Sequence, residues 1–284
     1  MEISIFGLRD WAIKHISLGY VVGPYLSDAI QACKTAAHLG WASTINPFHY
    51  EKDTAEKVCS NYKLALKAIV KENIDCYLSV KVWELNYDLG FLKEILELSE
   101  KSKIRIHFDS RDPESAATCF NLFEKALSIY RNISYTLPSR WKRSMTDAEK
   151  IIDFGVPVRL VKGQWDDITK PFINPRDGFL NLINILSGRA KHVDVATHDT
   201  NLARQSLMRL KEKKTPCHLE LLYGLPIRNA YIAQALELPV RIYIPYGRAC
   251  IPYGLSLVSK RPKILFWIMR DLLFKKRFLS NHRL

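Results

Sequence analysis

Val158-Arg159-Leu160-Val161-Lys162-Gly163 is a short run of apolar and β-branched residues that ends on a charge and a glycine. A run of that length closed by a turn residue reads as a buried strand. The residues before it read as helix: Thr146-Asp147 are placed to cap a helix that continues to Phe154 and stops at Gly155. The same pairing recurs along the chain. Strand-like runs occupy 41–46, 76–82, 104–109, 133–138, 192–198, 217–224 and 240–247, which with 158–163 makes eight. Between them, 53–71 carries Ala55, Val58, Tyr62, Leu64, Leu66 and Ile69 at about helical spacing. Pro113, after Asp112, is placed to open the next helix. Asp199 precedes a helical pattern over 201–214, and Pro226 one over 227–236. Strand–helix alternation implies parallel strands joined by right-handed crossovers. Eight such units in roughly 230 residues predict a closed α/β (β/α)8 barrel. An open doubly wound sheet is the alternative, but no GxGxxG opens any unit. The expectation is one domain over 1–284, its barrel at about 27–275, with a short helical lead-in and a basic C-terminal helix from Pro262 onward.

Composition agrees with that size. The 284 residues are 48% hydrophobic and 25% charged, ample for a large core. The net charge of +13 is compatible with nucleic acid, an anionic membrane face or an anionic ligand. Lys and Arg are spread along the chain apart from a cluster over 260–283, and no recognised nucleic-acid module accompanies them, so no nucleic-acid partner is expected. The six cysteines show no CxxC pair and no metal-like spacing. They read as buried free thiols in a reducing, cytoplasmic compartment, with no metal expected. No signal-peptide pattern and no apolar run of about 18 residues is present. The basic amphipathic stretch 265–278 reads either as a last helix covering the barrel or as a peripheral contact with an anionic membrane.

In such barrels the working residues lie at the carboxyl ends of the strands. Those ends hold Asn46, Lys81, Asp109, Pro138, Lys162-Gly163, Thr197-His198, Leu222-Tyr223-Gly224 and Tyr246-Gly247. Each has a plain structural reading. Lys81 and Asp109 can form an ion pair, Lys162 can be solvated at the rim, and His198 can be a hydrogen-bonded structural residue. Together they place two lysines, an aspartate and a histidine around one mouth, a set that is expensive to bury without purpose.

The motifs are more specific. Arg159-Leu160-Val161-Lys162-Gly163-Gln164-Trp165 resembles the RLVKGxY strand of the proline dehydrogenase family. Ser79-Val80-Lys81, Phe108-Asp109, Ala196-Thr197-His198-Asp199 and Leu221-Leu222-Tyr223-Gly224 resemble that family's other marks, in order. So do Arg241-Ile242-Tyr243-Ile244-Pro245-Tyr246-Gly247-Arg248 and Pro252-Tyr253. The resemblance implies a distorted (β/α)8 barrel that holds FAD non-covalently across the strand ends. Such an enzyme removes hydride from the carbon beside an amine nitrogen, forms an imine and passes electrons to a quinone. It implies that Arg159 lies near the flavin N5 edge, that Val161, Lys162 and Gly163 run along the cofactor, and that Thr197 and His198 hold it further along. Lys81, Asp109, Leu222, Tyr243 and Tyr253 match substrate-side positions, where Trp165 replaces the usual Tyr.

The chain departs from the family on the carboxylate side. Where the family has two consecutive arginines that grip the carboxylate of proline, this sequence has Ser256-Leu257, and Lys260 stands at a Glu position. Neither residue replaces a planar bidentate donor. Losing two charge-assisted bonds costs on the order of 10²–10⁴ in affinity. Lys260, Arg261 or Arg248 could replace them only in another geometry. Pro138 stands where the family usually has a flavin-contacting Gln. The departure predicts an amine substrate without a free carboxylate; proline itself with a rearranged grip, or a barrel that binds without turnover, are the other readings. A cofactor-independent rival is a Schiff-base barrel using Lys162, which requires a water-poor pocket. A non-enzymatic rival is a scaffold that takes up no FAD.

Overall fold

The computed structural model describes residues 21–225 and 227–247. The strands are β1 (Ala42–Pro47), β2 (Cys76–Val80), β3 (Ile106–Phe108), β4 (Ile133–Pro138), β5 (Val158–Val161), β6 (Val193–Ala196), β7 (Cys217–Leu222) and β8 (Val240–Tyr246). Each pairs in parallel with the next, and β8 closes on β1 in register from Ala42↔Arg241 to Pro47↔Tyr246, giving a closed eight-stranded barrel. Helix α1 (Leu26–His38) precedes β1 and packs against β1 and β8. The crossovers carry α2 (Ala55–Glu72), α3 (Leu89–Ser102), α4 (Ala116–Leu127), α5 (Arg143–Phe154), α6 (Pro175–Leu186), α7 (Thr200–Glu212) and α8 (Ala230–Ala235).

Local chemistry explains the helix limits. The Thr54 hydroxyl accepts the Lys57 N–H at 3.3 Å to start α2, and Asn73 in the left-handed region ends it at φ 49°. Asp88, Asn174 and Asp199 cap α3, α6 and α7 in the same way, with Pro175 in the first turn of α6. Gly155 ends α5 at φ 62° as its position implied.

Three expected helix starts move. Helix α5 begins at Arg143, so Thr146-Asp147 lie inside it, and Asp147 pairs with Arg143 at 2.8 Å instead of capping. The Asp112 carboxylate accepts the Ser115 N–H at 2.8 Å, which makes a turn of the residues around Pro113 and delays α4 to Ala116. After Pro226 the chain first makes a 3₁₀ turn (Ile227–Asn229) before α8.

Side chains alternate along every strand. Ile45, Leu78, Phe108, Leu137, Leu160, Val195, Leu219 and Ile242 face the helices and are buried. The aromatic rings of this outer layer meet edge to face, Phe108 with Phe123 at 5.3 Å and Phe120 with Tyr135 at 5.1 Å. The inward alternates are polar instead: Tyr77, Ser79, His107, Ser134, Thr136, Arg159, Asp194, Glu220 and Arg241 are all buried. The barrel interior is therefore a hydrogen-bonded polar column inside an apolar sleeve.

Candidate active site

The centre of the column lies just below the carboxyl ends of β3, β5, β7 and β8. Arg159, second residue of β5, is held on two sides. Its Nη1 donates to Asp109 Oδ1 at 2.8 Å. Its Nε donates to Glu220 Oε2 at 3.2 Å, and its Nη2 lies 2.9 Å from Glu220 Oε1. The guanidinium also covers the Tyr243 ring at 4.7 Å. Asp109 follows β3 directly. Its Oδ2 accepts from Asn46 Nδ2 at 2.8 Å, Ser79 Oγ at 2.8 Å and the Tyr243 hydroxyl at 3.1 Å. With Arg159 on Oδ1, four donors from four other strands converge on one carboxylate. Two oxygens offer about four acceptor positions, so these four donors fill the hydrogen-bonding capacity of Asp109.

Below this centre, the Tyr77 hydroxyl lies 2.9 Å from Asp194 Oδ2 and 3.2 Å from Glu220 Oε2. One phenolic proton is shared between two carboxylates. Burial pushes the Glu220 carboxyl up to about 7, against the pull of Arg159. Burial acts in the same sense on Asp194, but bonds from His192 and His218 outweigh it and hold that carboxyl well below the usual range. Burial, reinforced by Arg159, keeps His107 well below the ordinary imidazole value, between Ser134 Oγ at 2.8 Å and Thr136 Oγ1 at 2.6 Å.

Lys81 is buried but does not pair with Asp109 as expected. Its Nζ donates to the Pro47 carbonyl at 3.2 Å, lies 3.5 Å from Glu84 Oε1, and stands over the Phe48 ring at 3.5 Å. Glu84 sits three residues on, in the 3₁₀ turn after β2. Burial raises its carboxyl, yet Lys81 and His49 outweigh that and hold it below its ordinary value. Asp109 is left to Arg159, whose planar fork engages both carboxylates at once.

The rim is built after β5, β6 and β7. Lys162 Nζ and Arg176 Nη1 approach the same oxygen, Asp199 Oδ2, at 3.1 and 2.8 Å. Thr197 Oγ1 accepts the Asp199 N–H at 3.2 Å, and Asp199 also caps α7. His198 Nε2 accepts the Leu222 N–H at 2.9 Å, which leaves its ring proton on Nδ1 and ties β6 to β7. Val161 ends β5 between Pro138 and Ala196. Gly163 has φ 84°, and a Cβ there would lie 2.8 Å from Pro138 Cβ, so Pro138 forms the floor of that turn. Lys162 is 39% exposed in its side chain and paired to Asp199, which is not the water-poor setting a Schiff-base lysine needs.

Of the expected site residues, the structure brings Asp109, Arg159 and Tyr243 into direct contact, and sets Lys162, Gly163, Thr197, His198 and Leu222 along one rim. Trp165 lies on the loop after β5, 39% exposed, with its carbonyl accepting from Trp141 Nε1 at 2.9 Å. Tyr253, Arg248, Ser256, Leu257, Lys260, Arg261 and the expected C-terminal helix lie outside the described residues, as does the lead-in before Val21. Sequence reading missed Tyr77, His107, Asp194, Glu220 and Arg241. Their signal was the period of two in Val158-Arg159-Leu160, Val193-Asp194-Val195 and Leu219-Glu220-Leu221.

No protein-family model matches the chain. Among curated proteins it is similar to proline dehydrogenase 1 of Bacillus subtilis subsp. natto, 24% identical over 280 residues and 90% of each chain. It is also similar to proline dehydrogenase 2 of Bacillus subtilis strain 168, 20% identical over 271 residues and 89% of each chain. Among solved structures it is similar to proline utilization A from Bdellovibrio bacteriovorus inactivated by N-propargylglycine, with a TM-score of 0.76 and 15% identity. That match covers 89% of this chain and 34% of the larger protein. A mutant of Bradyrhizobium japonicum proline utilization A gives 0.67 and 14% identity, over 84% of this chain and 30% of that one. These likenesses establish the barrel, and the chain spans about a third of those longer proteins. Over nine tenths of its length the chain is thus similar to named proline dehydrogenases, and it shares the barrel fold of proline utilization A.

Proposed function

We propose that this chain is a flavin-dependent oxidoreductase of the proline dehydrogenase type. It holds FAD across the carboxyl ends of the strands and converts a small, proline-like amine into its imine. The observation that carries the reading is the contact of Asp109, Arg159 and Tyr243 from three separate strands beneath the mouth, on positions that resemble that family's site.

The donor set fits an anionic dinucleotide. Lys162 and Arg176 supply two cations on one side of the mouth, shared by a single carboxylate. Gly163 keeps a close approach open because a side chain there would collide with Pro138. Arg159, Val161, Lys162, Gly163, Thr197 and His198 would hold the cofactor. FAD, when bound, supplies the acceptor for the hydride leaving the carbon beside the amine nitrogen, while the nitrogen loses its proton.

The chain's own residues orient and insulate. Asp109 and Glu220 lock the Arg159 guanidinium in one plane, so a fixed positive dipole faces the mouth and needs no reorganisation during reaction. Tyr243 is fixed by its bond to Asp109 and offers a ring face for a substrate ring. Lys81 keeps a buried ammonium at the rim between β1 and β2, where it orients polar groups of the substrate. Leu222 and Trp165 close the apolar side. Ser256 and Leu257 favour a substrate whose carboxyl is absent, esterified or amidated. Electrons leave to a quinone or a similar small acceptor.

The test is an absorbance spectrum of purified protein supplied with FAD, followed by anaerobic bleaching with proline, a proline ester and simple cyclic amines. A flavin band that the ester or a cyclic amine bleaches faster than free proline is the expected result. Protein that takes up no FAD overturns the enzyme reading. Fastest bleaching by free proline overturns the substrate.

A further inference from the structure

At the amino ends of the strands, opposite the mouth, three side chains of metal-ligating type meet. His192 immediately precedes β6, Asp194 is second in β6, and His218 is second in β7, paired in register with Asp194. His192 Nε2 and His218 Nδ1 each lie 3.1 Å from the same atom, Asp194 Oδ1. All three ligand atoms fall within 4.8 Å of one another. The imidazoles stand edge to face, 4.4 Å between centroids and 69° between planes, so their nitrogens converge without the rings stacking.

We propose that His192, Asp194 and His218 bind one divalent first-row transition ion, of which Zn²⁺ is the best fit, with water in a fourth, solvent-facing position. Zinc bonds of about 2.0–2.2 Å at tetrahedral angles separate ligand atoms by about 3.3 Å, close to the two nitrogen–oxygen distances found. Two imidazoles and a carboxylate are also the ligand mixture that such ions take in preference to calcium or magnesium.

Two further observations support a cation. The Tyr77 hydroxyl holds Asp194 Oδ2 at 2.9 Å, which turns Oδ1 toward the imidazoles as an outer-shell partner would. Asp194 is fully buried whereas the His192 and His218 side chains are 14% and 19% exposed, so the carboxylate anchors the site inside and the open position faces solvent.

The opposing charge is Arg241, whose Nε lies 3.4 Å from His218 Nδ1. Its guanidinium is drawn off by the Ser43 carbonyl, by Asp75 at 3.3 Å and by the Tyr77 ring at 4.3 Å. Arg241 still weakens the site, so micromolar affinity is expected. The ion would join β6 to β7 at the base of the barrel.

The test is titration of chelator-treated full-length protein with Zn²⁺ by calorimetry, and with Co²⁺ by visible absorbance. One ion per chain is expected, with d–d bands of tetrahedral intensity and a Tm that rises with Zn²⁺. His192→Ala and His218→Gln should each weaken binding roughly 100-fold, as loss of a ligand implies. His192 lies outside the strand, so its variant is expected to fold, and far-ultraviolet circular dichroism checks that. Absence of stoichiometric binding to the wild type, or binding unchanged in both variants, overturns the site. Neither outcome touches the flavin or the amine, so the test is separate from the activity.

Discussion

Arg159 Nη1 donates to Asp109 Oδ1 at 2.8 Å across the mouth, from β5 to β3, while Glu220 of β7 holds the other side of the same guanidinium. One cation thus joins three strands that are not neighbours in the barrel wall. Replacing one carboxylate leaves a buried charge half compensated. Asp109→Asn is expected to lower stability by about 3 kcal/mol, read as a urea midpoint. It should also lower turnover on the order of 10²–10³, because the guanidinium loses its fixed plane. An unchanged rate would mean that Arg159 does not need Asp109 to be positioned.

Glu220 makes stability depend on pH near neutrality. Its folded pKa, pushed up to about 7, lies above the ordinary 4.5, so the folded state binds its proton more tightly than the unfolded chain. The resulting stability is complete below pH about 4.5 and is lost as pH rises toward about 7. Asp194 is ionised in both states over that window and contributes no slope there. Through this group alone the wild type loses on the order of 3 kcal/mol at most between pH 5 and 8. His107 and His218, held below the ordinary imidazole value, add the opposite slope, so the expected result is that Glu220→Gln makes stability rise more with pH than it does in the wild type. Unfolding midpoints at the two pH values decide it.

Gly163 occupies a left-handed turn against Pro138. Gly163→Ala adds both backbone strain at φ 84° and a contact of 2.8 Å with Pro138 Cβ. A loss of about 1–3 kcal/mol is expected, together with lower flavin content after reconstitution. The double variant with Pro138→Ala should recover part of the loss, since it removes the contact and leaves the φ.

Lys162 separates the two chemistries considered for the mouth. Its pair with Asp199 is well exposed, so Lys162→Ala should change stability by less than about 1 kcal/mol. FAD retention should weaken by roughly tenfold with one cation lost from the rim. Borohydride in the presence of carbonyl compounds should leave the mass of the wild-type protein unchanged. A trapped adduct on Lys162 would reverse that reading.

The barrel was legible because apolar runs closed by Gly, Pro or a charge recur eight times, and each became a strand. The strand ends were less legible. Pairing in β5 stops at Val161 and in β6 at Ala196, because Lys162 and Thr197-His198 turn away to build the rim. Asp147 looked like a cap, but an arginine four residues earlier competed for it. The Lys81–Asp109 pair failed for a related reason: adjacency along neighbouring strands suggested it, whereas Arg159 reaches Asp109 from across the barrel, a separation no local pattern encodes. The polar column was written in the strands as alternate charged residues, and becomes readable once the interior is not assumed to be apolar.

From His218 through Asp194, Tyr77, Glu220, Arg159 and Asp109 to Tyr243, each side chain in that column touches the next. Its members share protons and charge, so a substitution at one changes what is tolerable at the others. Such a column drifts during evolution by concerted exchange, and a single foreign residue grafted from a relative would be rejected unless its neighbours came with it.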